Sequence, residues 1–245
     1  MKIYGLIGNP LGHSFSKKYF TEKFLAEHIT GCEYRNYEIK NLSAEIPLLK
    51  NDFLIHGLNV TIPYKSEILN YLDIASDECR EINACNCIKI TGRKWQGFNT
   101  DIIGFAKSFA IHLKPHHKKA LILGTGGSSK AVGYALKNHN IDFLFVSREK
   151  KNSLQVITYE DISPALINDF RIVINTTPIG MFPNVHAYPK FPYEWITADH
   201  YFFDLVYNPS KTMFLAKAEA MGAVIKNGED MLVIQAEESW RIWNS

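Results

Sequence analysis

The chain has 245 residues, enough for one large domain or two modest ones. Its 46% apolar and 21% charged residues are an ordinary globular composition, and 27 Lys and Arg against 25 Asp and Glu leave a net charge of +2. That balance gives no electrostatic basis for binding nucleic acid or an anionic membrane. No uninterrupted apolar span reaches membrane length, and the start MKIYGLIGNP lacks the charged and then apolar stretches of a secretory leader, so the expected location is the cytoplasm.

In chain order, Ile3–Ile7 reads as a strand, Ser16–Glu27 as a helix, Tyr34–Ile39 as a strand, Ser43–Leu49 as a short helix and Leu54–Val60 as a strand. Helices are expected across Tyr64–Leu72 and Ile74–Ile82. Asn86–Thr91 and Lys94–Phe98 flank Gly92-Arg93 and read as a β-hairpin, so the sheet of this half is mixed. A helix over Ile102–Leu113 leads to a boundary near Pro115. The second half is more regular: the apolar run Ala120–Leu123, a helix with Ala131, Val132, Ala135 and Leu136 on one stripe, then strands Asp142–Val146, Ile172–Asn175 and Tyr201–Val206. A helix over Thr212–Met221 and a strand Ala223–Ile225 continue an alternation that means parallel β. Between Arg148 and Ile172 there is little room for both a full helix and an extra strand, so a truncated helix is expected. The last segment, Asp230–Trp243, is a helix with Val233, Ala236, Trp240 and Trp243 on one stripe and Met231, Gln235 and Ile242 on another.

Of the four cysteines, Cys85 and Cys87 form C-x-C rather than the C-x-x-C of zinc or redox sites, and they are expected on one face of a strand as buried thiols. The run Lys114-Pro115-His116-His117-Lys118-Lys119 reads as a solvated linker, since its lysines would repel a cation. No metal site is expected.

The chemistry begins at Gly124-Thr125-Gly126-Gly127, which lies between an apolar strand and a helix. Gly124 permits a tight exit from the strand, and Gly126 lets the backbone approach a pyrophosphate at the helix N-terminus. Ser129 stands where G-x-G-x-x-G has its third glycine. The next strand ends Ser147-Arg148-Glu149-Lys150-Lys151; Arg148 and the lysines favour a 2′-phosphate and hence NADP, while Glu149 argues for NAD. In the first half, His13-Ser14-Phe15-Ser16 opens a helix, where two hydroxyls either cap it or accept a carboxylate. Asn59-Val60-Thr61-Ile62-Pro63-Tyr64-Lys65 ends a strand, where sites in α/β proteins gather, and Gly97-Phe98-Asn99-Thr100-Asp101 ends the hairpin. Taken singly, Asp101 reads as an N-cap and Lys65 as a surface lysine.

Together, the stretches GNPLGHSFS, GLNVTIPYK, ACN, GFNTD, GTGGSSKA, NTTPIGM, DLVYNP and NGEDMLVIQ resemble, in order and spacing, the shikimate dehydrogenases, NADP-dependent enzymes of aromatic amino-acid (chorismate) biosynthesis. The resemblance implies a substrate-binding catalytic domain over 1–101 with a mixed, mostly parallel sheet, a Rossmann-like domain over 102–229, a C-terminal helix over 230–245 packing back toward the first domain, and an active site in the cleft between the domains. It assigns Lys65 and Asp101 as the catalytic pair, and Ser14 and Ser16 as the holders of the substrate carboxylate. Asn59, Thr61, Asn86, Asn99 and Gln235 match positions that contact the ring hydroxyls, and Tyr207 matches a tyrosine near the carboxylate. Cofactor contacts fall on Gly124, Thr125, Gly126, Gly127, Ser128, Ser147, Arg148, Thr176, Thr177, Pro178, Met181, Leu205 and Gly228.

The chain departs from the family pattern in three places. Lys17-Lys18-Tyr19-Phe20 replaces a proline followed by His-Asn, Ser147-Arg148-Glu149 replaces Asn-Arg-Thr, and Ala84-Cys85-Asn86-Cys87 replaces Ala-Val-Asn-Thr. The expected reaction is reversible NADPH-dependent reduction of 3-dehydroshikimate to shikimate by a monomer or homodimer. The alternatives are an NAD-using quinate/shikimate dehydrogenase and a catalytically silent ligand sensor. Ser16 favours shikimate, and retention of both Lys65 and Asp101 argues against the sensor.

Overall fold

The first strand, β1 (Lys2–Gly8), is buried at six of its seven positions, as a strand covered on both faces must be. The structure is a computed structural model describing residues 1–12, 14–150, 153 and 155–245; His13 and Lys151 lie outside the described residues. The chain divides into two units, one formed by Met1–Asp101 with Gln235–Ser245 and the other by Ile102–Ile234.

In the first unit, β1 is followed by α1 (Phe15–Ala26), β2 (Cys32–Glu38), α2 (Leu42–Asn51), β3 (Ile55–Val60), β4 (Ile74–Ala75), α3 (Asp77–Ile82), β5 (Cys87–Thr91) and β6 (Lys94–Phe98). The sheet order is β2-β1-β3-β5-β6-β4. β1 runs parallel to β2 and β3, and the β5–β6 hairpin is antiparallel to β3, so the sheet is mixed as expected. Alternate residues of β1 serve opposite faces. Ile3 and Ile7 join Leu42, Ile46, Ile68 and Trp95 in one apolar cluster, while Tyr4 and Leu6 join Phe20, Phe24, Tyr34 and Trp243 in another.

Three expectations need correction here. The stretch Tyr64–Leu72 forms only a 3₁₀ turn at Glu67–Tyr71, and Ile74–Ala75 is an edge strand, because its backbone is taken up by β6 before Ser76 caps α3. Cys85 and Cys87 do not share a face: β5 starts at Cys87, so no pleat relates them, and each packs in a different cluster.

The first two residues of α4 (Thr100–Ala110) still belong to the first unit; the second unit takes up the rest of that helix and continues through β7 (Lys119–Leu123), α5 (Gly127–Asn138), β8 (Asp142–Ser147), β9 (Val156–Thr158), α6 (Pro164–Asp169), β10 (Ile172–Asn175), β11 (Tyr201–Asp204), α7 (Met213–Ala220) and β12 (Val224–Asn227). Its sheet has the order β12-β11-β10-β7-β8-β9, with every pair parallel. The segment after Arg148 holds the three-residue strand β9 as well as the six-residue α6, so an extra strand fits because both elements are short. His117 is not part of a solvated linker. It is 2% exposed, and its Nδ1 accepts from the Lys114 amide while Nε2 faces the Asp199 carbonyl.

The chain ends in α8 (Glu229–Trp243), whose last residues belong to the first unit. Trp243 donates from Nε1 to the Ile88 carbonyl at 3.0 Å and stacks on Tyr4. Met231, Gln235, Ala236, Ser239 and Ile242 are buried, whereas Val233 is exposed, contrary to its expected stripe. At about 100° per residue, Val233 lies some 200° around the helix from Met231, so it cannot share the buried side.

Candidate active site

In the first unit, β3 and the β5–β6 hairpin bring distant polar residues together. Asn59 lies in β3, and Asn86 stands just before β5 with its carbonyl bound by the Val60 amide. The hairpin ends at Phe98, so Asn99, Thr100 and Asp101 follow at once, and Thr100 opens α4. Lys65 is tied in because its carbonyl accepts from the Cys85 amide at 2.7 Å.

The result is an ion pair: Lys65 Nζ donates to Asp101 Oδ2 at 2.6 Å. Both side chains are mostly buried, at 15% and 11% exposure, so the pair is shielded from water and salt. Asp101 Oδ1 accepts from Asn86 Nδ2 at 2.8 Å, which leaves the carboxylate oriented from both sides. Asp101 is therefore more than a helix cap. Asn99, 7% exposed, donates to the Ala84 carbonyl, while its Oδ1 is buried with no partner among the described residues. An orphan buried acceptor is costly unless a ligand's hydroxyl or amine fills it.

Ser14 caps α1, accepting from the Lys17 amide at 3.3 Å, which keeps its own O–H as a donor for a carboxylate. Ser16 sits against the buried Tyr34 phenol, and burial holds that phenol's pKa well above its ordinary value. Thr61 follows β3 and donates its amide to the Ile7 carbonyl at 2.8 Å. Gln235 is buried in α8 beside Thr100 Oγ1, which lies 3.5 Å from its Oε1.

The second unit carries the remaining residues. In the parallel sheet, Asn175 pairs in register with Leu123 and with Asp204, and Asp204 pairs with Asn227. The turns after β7, β10, β11 and β12 therefore gather at one edge, the carboxyl ends of the strands, where the chain reverses direction across the sheet and ligands bind in such folds. Gly124 has φ +111°, and a Cβ there would stand 2.8 Å from Thr176 Oγ1, so only glycine fits. Gly126 is the N-cap of the twelve-residue α5 and has no side-chain cap, and a Cβ built on it meets nothing within 4 Å. Open space before an uncapped helix start fits a pyrophosphate, with the amides of Gly127 and Ser128 and the helix dipole aimed at it. Ser129 is fully buried and bonds back to the Gly126 carbonyl at 2.6 Å, which is how a serine replaces the usual third glycine.

Around this turn, Thr176 donates from Oγ1 to the Leu123 carbonyl at 2.7 Å, and Thr177 donates to Asn175 Oδ1 at 2.6 Å. Pro178 and Met181 are exposed, with the Met181 amide bonded to the Pro178 carbonyl. Gly228 lies directly against the Leu205 carbonyl, an approach that a Cβ would block. Ser147 ends β8, its Oγ accepting from the Glu149 amide at 3.3 Å, and Arg148 is exposed beside it. Tyr207 follows β11, half-buried, with its phenol pKa raised by burial.

Sequence reasoning missed Asp204. Its carboxylate accepts from Thr212 Oγ1 at 2.6 Å, Asn175 Nδ2 at 2.9 Å and the Val206 amide at 3.0 Å, so it holds the loops after β10 and β11 together. Burial nevertheless pushes its pKa up to about 7. The signal was a lone acid ending the apolar strand Tyr201-Phe202-Phe203-Asp204.

The family model for the shikimate dehydrogenase substrate binding domain matches residues 6–88. A shikimate dehydrogenase (NADP(+)) of Caldicellulosiruptor saccharolyticus is 37% identical over 260 residues, covering 99% of this chain and 92% of its own. The crystal structure of shikimate dehydrogenase from Aquifex aeolicus has a TM-score of 0.88 at 31% identity, covering 100% of this chain and 92% of that one. That of shikimate 5-dehydrogenase from Thermus thermophilus, in complex with NADP(H) and shikimate, has a TM-score of 0.84 at 27% identity, covering 99% and 93%.

Proposed function

This chain belongs to the shikimate dehydrogenase family, and we propose that it catalyses the reversible NADPH-dependent reduction of 3-dehydroshikimate to shikimate. The observation that carries the reading is the shielded Lys65–Asp101 pair, held by Asn86 and bordered by the orphan acceptor of Asn99. Similarity to NADP-dependent relatives over nearly the whole chain supports the cofactor, and a small-molecule substrate follows from the same relatives.

NADPH, when bound, supplies the hydride for the carbonyl carbon, and NADP+ takes it back in the reverse direction. Gly124 to Ser128 would hold its pyrophosphate, Ser147 and Arg148 its 2′-phosphate, and the residues after β10, β11 and β12 its nicotinamide. Lys65 directs one ammonium N–H at Asp101 and has two left for the reacting oxygen. In reduction it stabilises the developing alkoxide and gives it a proton; in oxidation the amine takes the hydroxyl proton back. Asp101 keeps the ammonium aimed and screens its charge. Ser14 and Ser16 receive the substrate carboxylate, and Thr61, Asn86, Asn99 and Gln235 its hydroxyls. No helix among the described residues is long and apolar enough to cross a membrane, and with thiols at Cys79, Cys85 and Cys87 buried and unbridged we place the enzyme in the cytoplasm.

The test is spectrophotometric turnover with shikimate and with quinate, each with NADP and with NAD. Turnover of shikimate with NADP is expected to dominate. A preference for quinate with NAD would replace this reading, Glu149 beside Arg148 giving a physical basis for the NAD part alone, and no nicotinamide reduction with any pair would overturn it.

A further inference from the structure

Ser239 lies outside every assignment made above, yet two hydrogen-bonded paths converge on it. It is fully buried in α8, one turn after Gln235, whose carbonyl takes the Ser239 hydroxyl proton at 2.9 Å. With that proton committed, Ser239 Oγ acts toward other groups as an acceptor. Asn59 Nδ2 donates to it at 2.9 Å, and Thr100 Oγ1, which also lies 3.3 Å from Asn86 Oδ1, is in hydrogen-bond contact with it at 3.2 Å.

Each path leads to a part of the site. On one, Asn59 Oδ1 accepts from the Tyr34 phenol at 2.9 Å, and that phenol meets the Ser16 hydroxyl. On the other, Thr100 fixes Asn86: the Thr100 amide donates to Asn86 Oδ1 at 2.7 Å, which turns Asn86 Nδ2 toward Thr100 Oγ1 at 3.1 Å and Asp101 Oδ1 at 2.8 Å. Asn59 has also spent its second donor, on the Asn86 carbonyl at 3.2 Å, and is only 4% exposed. It has no N–H left for a ring hydroxyl.

We propose that Ser239 is a positioning residue for the reaction, the junction that fixes Asp101 through Thr100 and Asn86, and Ser16 through Asn59 and Tyr34. Asn59 is then the hub of this relay, and toward a ring hydroxyl it has only the second lone pair of its Oδ1 to offer. The inference rests on Lys65 and Asp101 carrying shikimate oxidation. Removing the Ser239 hydroxyl strands one N–H of Asn59 and leaves Thr100 Oγ1 to turn to Asn86 Oδ1 at 3.3 Å or Gln235 Oε1 at 3.5 Å, and the strain falls on the orientation of the carboxylate that aims Lys65.

Steady-state kinetics with shikimate and NADP on wild type, Ser239→Ala, Tyr34→Phe and the double variant test this. Ser239→Ala should lower kcat for shikimate by roughly 3- to 10-fold, the size of one lost buried hydrogen bond, with the KM for NADP unchanged. Tyr34→Phe should raise the shikimate KM about 3-fold or more. Because Ser239 reaches Ser16 only through Asn59 and Tyr34, the double variant should raise the shikimate KM by less than the product of the single changes. Wild-type kinetics in Ser239→Ala, or KM changes that multiply in the double variant, would overturn the relay. Should Ser239→Ala fail to fold, Tyr34→Phe alone decides, and an unchanged shikimate KM there overturns it. If wild type itself turns over no shikimate, it is the proposed reaction that fails.

Discussion

The two units are built from the same alternation of strand and helix, yet they use polar residues in opposite ways. The first buries Asn59, Asn86, Asn99, Thr100, Asp101, Gln235 and Ser239, and commits nearly every donor to a named acceptor. The second offers a ligand mainly backbone and space: Gly124 in a left-handed turn, Gly126 facing open space, and the uncapped start of α5. A reacting centre needs side chains fixed to within a fraction of an ångström, whereas a pyrophosphate needs only oriented amides and room. The difference predicts that substitutions in the first unit act on kcat and substrate KM, and those in the second on cofactor KM and stability.

Asp101→Asn offers the hardest blow to this division. It removes the charge that Lys65 is bonded to, and kcat should fall by ~10²-fold or more with the KM for NADP little changed, measured by steady-state kinetics. A cofactor effect as large as the kcat effect would break the comparison. Gly124→Val should be the largest effect in the second unit. It forces a β-branched residue to φ +111° with its Cβ against Thr176 Oγ1, and should cost ~2 kcal/mol or more in urea denaturation while raising the KM for NADP.

Asp204 gives a smaller, pH-dependent effect. Its carboxyl is raised from 3.8 to about 7 in the fold, so its favourable contribution is complete below the unfolded value and is lost as pH rises toward 7. Asp204→Asn cannot titrate, and its stability should fall less than that of wild type between pH 5 and pH 8, roughly the interval around the shifted value. His117 works in the other direction. Burial lowers its pKa, and Nδ1 can accept from the Lys114 amide only while neutral, so its contribution is present above the ordinary histidine value of 6.5 and lost as pH falls through the lower folded one. His117→Asn, which keeps an acceptor but no titrating ring, should remove ~1 kcal/mol of the acid-side loss in urea melts.

The contrast also explains what could be read from sequence. The glycine turn was legible because its parts are contiguous: strand, Gly124 to Gly127, helix. Lys65 and Asp101 were legible because each sits in a local motif at the end of a strand, and the mixed sheet showed in the Gly92-Arg93 turn. Tyr34, Thr100 and Ser239 were not, since their roles arise from hydrogen bonds spanning 14 to 180 positions, which leave no spacing to recognise. Cys85 escaped the pleat argument because its strand starts two residues later, and His117 was hidden among lysines that stay outside while its ring turns in against Tyr201.

The central claim is that Lys65, aimed by Asp101, exchanges the proton in shikimate oxidation. Its most direct test is the kcat of Lys65→Ala with shikimate and NADP, alongside calorimetric binding of both. The variant should bind NADP as wild type does and lose kcat by ~10³-fold, in the range of a lost general acid–base group. A kcat equal to that of wild type would contradict the assignment.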